Sequence, residues 1–329
     1  MSTPPQNSLA NQNPALGSPF ARKMRSLGSY LRQHWVLYLM LIPGLFFLFI
    51  YKLLPLWGLQ IAFKNYKIFA ADTPWQSIAA SDWIGWKHFQ KLFASSQFKV
   101  VLRNTLEINI MKILWLFPIP IICAILLNEI RHAFYQKLCQ TLIYVPYFFS
   151  WVLIFGIFYS LLGSYGVINS VVTAVGGARI NFFGDQSIFR SVLVFTEGWK
   201  DVGYNTVIYL AAITGIDITL YEAARVDGAN KFRQIWHITL PGLLPTIILM
   251  LIMKVGYILN TGFEQVLVFY SPPVYDVADI IETYVYRIGL GQANFSLATA
   301  LGLFNAVIAF ILIVGANTVS KKTLGRSIW

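Results

Sequence analysis

The stretch LYEAARVDGANKFRQIWHITLPGLLP, Leu220 to Pro245, is a polar interruption between two apolar runs. Its first part, Glu222-Ala223-Ala224-Arg225, is made of good helix formers. Gly228 permits a sharp reversal of the chain, because it has no Cβ to forbid positive φ. Ala229 to His237 can form a second short helix, and Pro241 suits the first turn of the helix that follows. Two short helices held rigidly between two long apolar ones make a lever.

Outward from this stretch the chain is a series of apolar blocks. VLYLMLIPGLFFLFIY, Val36 to Tyr51, opens the first span, predicted over 35–57. Further spans are predicted over 100–127, 141–162, 188–213, 243–270 and 297–319, each long enough for a bilayer. The expectation is an all-α membrane protein of six transmembrane helices, with the lever over 216–241. Pro118 and Pro120 are expected to kink or break the second span, and Pro146 lies near the start of the third. Residues 58–99 read as a mixed loop rich in Trp and Lys.

Composition agrees with this class. The chain has 329 residues, 57% of them hydrophobic and only 12% charged, against about 25% charged in soluble domains. The net charge is +11, and its distribution sets orientation. Arg22, Lys23, Arg25 and Arg32 precede span one, and Arg131, Lys137, Arg225, Lys231, Arg233, Lys321, Lys322 and Arg326 fall on the same side. By the positive-inside rule both termini of this multi-pass protein are expected in the cytoplasm. The loop over 58–99 departs from the rule with Lys64, Lys67, Lys87, Lys91 and Lys99 on the outside. Residues 1–20 carry no charged side chain and read as a disordered tail without a signal peptide, 21–34 as a basic amphipathic surface helix, and 320–329 as a cytoplasmic tail.

No basic face interleaved with exposed aromatics points to nucleic acid. Cys123 and Cys139 lack metal-ligand spacing and read as small buried hydrophobes. His34, His88, His132 and His237 are scattered, so no metal site is expected. No Walker A sequence occurs. A membrane-embedded glycan enzyme would show convergent acids such as a DxD pair or an HExxH, and none appears. A solitary secondary transporter has no use for the lever.

Glu222-Ala223-Ala224, then Gly228, then Ile238, Leu240 and Pro241 match in register the EAA signature of permease subunits in ABC-type importers, and the chain resembles that family. Asn104-Thr105, WKDVGYN (Trp199 to Asn205) and LAAITGID (Leu210 to Asp217) resemble the sugar permeases among them. TYVYRIGLGQANFSLATALGLFNAV (Thr283 to Val307) and the ending Ser327-Ile328-Trp329 resemble the polysaccharide-import permeases of the LplB type, the subgroup that holds the alginate-oligosaccharide importer's first permease. The likeness runs from about Tyr30 to the end. It implies the type I importer permease fold, a place in a bacterial inner membrane, and a heterodimer with a second permease. It further implies two ATP-binding subunits that hold ATP and Mg, an external sugar-binding protein, and an oligosaccharide substrate carried by alternating access. This chain itself would hold no cofactor and catalyse no covalent step. The lever would dock in a cleft of the ATPase, with Glu222 as polar anchor, Ala223 and Ala224 allowing close packing, and Arg225 and Asp227 flanking the turn at Gly228.

A charge inside a span costs roughly 2.5–3.5 kcal/mol and is expected to face protein or water. Lys254, in the middle of span five, and Glu197, Lys200 and Asp201, in span four, are such charges, with Glu107 and Lys112 in span two and Glu264 later in span five. Two readings stand side by side: a translocation path, or pairs such as Glu197 with Lys200 or Asp201 with Lys200 that pin helices. The predicted path comprises Trp199, Lys200, Asn205, Tyr209, Lys254, Tyr257, Asn260 and Glu264, with Trp151 and Thr261 as further candidates, since sugars bind aromatic faces and a few placed polar groups. The outside lysines fit an anionic, uronate-type oligosaccharide or an acidic patch on the binding protein; a neutral oligosaccharide is the alternative. The loop from Pro272 to Tyr286, with Asp276, Asp279 and Glu282, is expected outside, where it can touch the binding protein.

Overall fold

A computed structural model describes residues 33–259 and 262–325. The expected tail, the surface helix up to residue 32, Asn260, Thr261 and the final Ser327-Ile328-Trp329 lie outside the described residues. The chain divides into two compact units between Leu59 and Gln60. In the first unit, α1 (Trp35–Leu48) runs on through a π-helical turn, Phe49–Leu53, into a 3-10 segment, Leu54–Phe63, whose last four residues belong to the second unit.

The second unit is also helical. Among its described residues no strand forms, only an isolated bridge between Lys64 and Trp83. The expected loop over 58–99 contains α2 (Pro74–Ala80) and α3 (Lys87–Ala94). Span two is α4 (Ser96–Leu116) followed by α5 (Pro118–Asn128), broken in hydrogen bonding at Phe117 where the two prolines supply no amide donors. Then come α6 (Ala133–Tyr144), α7 (Trp151–Leu162), α8 (Val167–Ala174) and the long α9 (Gln186–Thr214). The lever begins with α10 (Ile218–Val226) and α11 (Lys231–Gln234), and α12 (Leu240–Gly256) follows. Short helices α13 (Phe263–Phe269), α14 (Tyr275–Ala278) and α15 (Ile281–Tyr286) precede α16 (Phe295–Leu324). Among the described residues five segments are long and apolar enough to cross a membrane, and six if α9 and α10, bent by 68° at their junction, count as one. The charges in α9 explain why it needs its neighbour to qualify.

Three expectations are corrected. Span three is not continuous over 141–162: a 3-10 turn at Val145–Phe148 and extended backbone at Phe149 divide α6 from α7, and the apolar segment is Trp151–Ala174. Span five is not continuous over 243–270: α12 stops at Gly256, Gly262 adopts φ +95°, and α13 starts afresh. Lys254 therefore sits in the last turn of α12 rather than at mid-span. Pro241 stands in the first turn of α12, where a proline was expected. It offers no N–H to the His237 carbonyl, and the chain widens into a π turn at Ile235–Thr239, with the Leu240 N–H donating to the Ile235 carbonyl. The second half of the lever is thereby continuous with α12. Cys123 and Cys139 are half-buried rather than buried.

The core lies where α9 meets its neighbours. Ile108, Phe158, Phe189, Leu193, Val266 and Phe269 join α4, α7, α9 and α13. Ala124, Tyr209, Ile213 and Leu243 join α5, α9 and α12. Lateral packing of this kind, rather than hydrophobic exclusion alone, holds helices together in lipid. Gly256 shows it: a Cβ there would overlap the Ile313 side chain of α16.

Candidate functional site

A small cavity, partly open to its surroundings, lies between α4, α5, α9 and α12. Glu197, Asp201, Asn205 and Tyr209 reach it from one face of α9, with Asn109 and Lys112 from α4 and Lys254 from α12. The four α9 positions are four residues apart, so they stack on one side of the helix.

Lys112 is almost fully buried and forms an ion pair with Glu197. Its Nζ also donates to Gln265 Oε1 at 2.8 Å. Gln265, wholly buried, donates in turn to the Leu193 carbonyl at 2.7 Å and to Thr196 Oγ1 at 2.8 Å. This chain ties α4, α9 and α13 across the bundle and gives the buried charges the partners they need. The expected Glu197–Lys200 and Asp201–Lys200 pairs do not form. Lys200 points to the other side of α9 and donates to the carbonyls of Tyr147 at 2.6 Å and Phe149 at 2.7 Å.

Asp201 and Lys254 are left open. Asp201 Oδ1 is buried without a hydrogen-bond partner among the described residues. It lies in the electrostatic field of Glu197, Lys200, Lys254 and Lys112. Among the described residues Lys254 has no ion pair within 4.0 Å. Of the other expected path residues, Asn205 and Tyr209 line the cavity, but Trp199 packs edge-on against Phe158 at 5.5 Å. Tyr257 and Glu264 are exposed and do not line it. Trp151 packs on Phe269 and under Lys200. Asn109 and Gln265 carry no signal in the sequence, since they are neutral polar residues that belong to no motif and stand beside the charges that draw attention in α4 and α13.

At the end of the bundle that carries residues 270–294, Asn104 donates to the Asp276 and Asp279 carbonyls at 3.0 and 3.2 Å and accepts from Arg190 at 2.9 Å. Thr105 Oγ1 accepts from the Ile281 N–H at 2.9 Å. Glu107 pairs with Arg103 at 3.8 Å and also with Arg190. Asp279, expected at the surface, is fully buried: Arg287 pairs with it and Thr283 donates to it at 2.8 Å. Asp276 is exposed. Four of the five lysines over 58–99 are exposed, while Lys64 donates to the Ile78 carbonyl at 2.7 Å.

At the opposite end, Asp217 caps α10 by accepting from the Thr219 N–H at 2.9 Å, and Asn230 caps α11 by accepting from Arg233 N–H at 2.9 Å. The Asp217 carboxyl is held below the usual carboxylate range, first by the backbone hydrogen bond from Thr219 and then by its hydroxyl. Gly228, at φ +74°, makes the turn between them. Tyr221 and Thr239 share a hydrogen bond of 2.9 Å, and Lys231 pairs with Glu129 at 2.7 Å. Glu222, Ala223, Arg225 and Asp227 are exposed and Ala224 half-exposed, beside the exposed side chains of Ile218, Leu220, Val226, Phe232 and Trp236. Ile238 and Leu240 are half-buried, and Pro241 begins α12.

Comparison with known proteins gives consistent matches. Residues 116–323 match the family described as binding-protein-dependent transport system inner membrane component. The chain is 42% identical over 301 residues to the polygalacturonan/rhamnogalacturonan transport system permease protein YteP of Bacillus subtilis, covering 91% of this chain and 92% of that one. It is 44% identical over 292 residues to Protein LplB of the same organism, covering 88% and 90%. The crystal structure of a bacterial ABC transporter involved in the import of the acidic polysaccharide alginate contains a chain that is 38% identical, with a TM-score of 0.83, covering 91% of this chain and 99% of that one. A second alginate transporter structure, in complex with an alginate pentasaccharide-bound periplasmic protein, gives 37% identity and a TM-score of 0.82 over the same shares.

Proposed function

The chain belongs to the family of binding-protein-dependent transport system inner membrane components, and from that premise we propose that it carries acidic oligosaccharides across the membrane by alternating access. It is a multi-pass permease subunit of a sugar ABC importer, a transport subunit rather than an enzyme. In the finer reading it pairs with a second permease as a heterodimer. Two ATP-binding subunits hold ATP and Mg beneath it, and an external sugar-binding protein delivers the substrate. Both termini and the loop over 216–241 face the cytoplasm, and that loop docks on an ATPase subunit. Exposed apolar side chains around Glu222 at a stiffly capped turn support this docking.

The observation that carries the acidic substrate is Lys254, a cation on the cavity wall with no ion pair among the described residues. A cation inside a span is costly and is expected to face a partner, water or a visiting anion. The exposed lysines over 58–99 add long-range attraction for such an anion. The names of the relatives support the same class: alginate is an acidic polysaccharide, and a galacturonan is a chain of uronic acids.

The test is uptake by the whole importer reconstituted in liposomes with its binding protein. Lys254→Ala is expected to lower uptake of an acidic oligosaccharide about tenfold, a loss of about 1.4 kcal/mol, and to spare a neutral one of equal length. Equal losses on both would move the substrate to the neutral class. In the same vesicles Glu222→Lys is expected to abolish sugar-stimulated ATP hydrolysis while the chain stays in the membrane. Hydrolysis at the parent rate would refute docking through this loop.

A further inference from the structure

Helix α9 has two working faces. Glu197, Asp201 and Asn205 look into the cavity, whereas Lys200, Gly203 and Tyr204 meet the break in span three. That break has an open demand for donors. Pro146 lacks an N–H, and Phe149 leaves the helical region at ψ 139°. Lys200 meets the demand with hydrogen bonds to the Tyr147 and Phe149 carbonyls, and its ammonium lies over the rings of Tyr147 and Trp151 at 5.2 and 5.5 Å. Charge-assisted bonds of this kind are the stronger class.

Two neighbours make the junction close-fitting. A Cβ on Gly203 would overlap the Ile143 carbonyl, so only glycine lets α9 approach α6 there. Tyr204 stacks on Tyr147 with ring centroids 4.0 Å apart and planes 6° apart. Beyond this junction α9 runs unbroken to Thr214 and turns by 68° into α10.

We propose that Lys200 is a positioning residue that fastens the break of span three to α9, so that the break, the cavity wall and α10 move as one body during transport. A displacement at α10 then reaches the cavity through the same helix that carries Glu197, Asp201 and Asn205. Without the clamp, α9 still answers α10, but the broken span no longer follows, and hydrolysis runs on with less sugar moved. The inference rests on the importer reading above.

Two measurements on the purified whole complex test it. The first is hydrogen exchange over residues 145–153 without sugar. The second is sugar delivered per ATP hydrolysed in liposomes, a ratio that a lower yield of assembled complex does not change. Lys200→Met is expected to speed the exchange and to lower the ratio about tenfold, as befits the loss of two hydrogen bonds from a charged donor. Lys200→Arg, which keeps the charge and the donors, is expected to keep both near the parent values. Unchanged exchange in Lys200→Met, an unchanged ratio, or an Arg variant as impaired as the Met variant overturns the clamp. A parent complex that imports nothing would instead defeat the importer reading, and the exchange result would still decide whether Lys200 fastens the break.

Discussion

Two regions of this bundle hold charged side chains, and they treat them in opposite ways. At the end carrying residues 270–294, Asn104, Arg190, Glu107, Asp279, Arg287 and Thr283 form a clasp in which each of these groups meets a partner, although Glu282 Oε2 in the same stretch is buried without one among the described residues. In the cavity, Asp201 Oδ1 and Lys254 meet none among the described residues. A charge with a complete set of partners fixes geometry, and removing one partner strands the other. A charge with an open side costs stability in the resting chain and is free to meet a ligand. The difference teaches that charge inside a span is not itself a sign of a path; the sign is charge left unsatisfied on a cavity wall.

The sharpest test lies within the cavity wall, at the one pair there that resembles the clasp. Lys112→Met leaves Glu197 without its cation and Gln265 without its donor, both in a buried setting. The expected loss is about 3–5 kcal/mol, the cost of stranding one member of a buried pair, read as a fall in the thermal midpoint of the purified complex. A midpoint within a degree or so of the parent would mean that Glu197 is no more constrained than Asp201, and the contrast would collapse.

The clasp itself comes next. Asp279→Ala removes a fully buried carboxylate that holds Arg287 and Thr283. Arg287 is about 29% exposed and can turn to solvent, so the expected loss is smaller, about 1–3 kcal/mol. Protease nicking within residues 270–294 should accelerate in step. Loss of sugar uptake with stability and nicking unchanged would make Asp279 a functional residue and break the assignment of the clasp to structure.

How much of this could be read from the sequence follows from the range of the interactions. The lever was legible because its determinants are local: Asp217 and Asn230 cap from two or three residues away, and Gly228 makes its own turn. The apolar helices were legible for the same reason. The breaks in spans three and five were not, since both flanks are apolar and Pro146 and Gly262 are each compatible with a continuous span; in span three the group that satisfies the break is also remote. Lys200 reaches carbonyls 51 and 53 residues away, and Asn104 reaches across more than 170. Asn104-Thr105 was legible as a motif but not as a clasp. Asp201 and Lys254 were legible as costly charges, but nothing in the sequence separates an open charge from a paired one.

Lys254→Ala should have the smallest effect on stability and so completes the comparison. Its ammonium has no ion pair to lose among the described residues, and its four-carbon stem is half-buried at the end of α12. Truncation gives up some packing of the stem and removes a half-exposed cation from a helix within the bundle, where charge is costly. These oppose each other, and the thermal midpoint should move by less than about 0.5 kcal/mol equivalent, the range of substitutions outside any network. A variant this stable that still loses acidic-sugar uptake locates the defect in recognition rather than in the bundle. A loss as large as that of Lys112→Met would show that Lys254 is a structural cation after all, and the open wall of the cavity would have to be assigned to Asp201 alone.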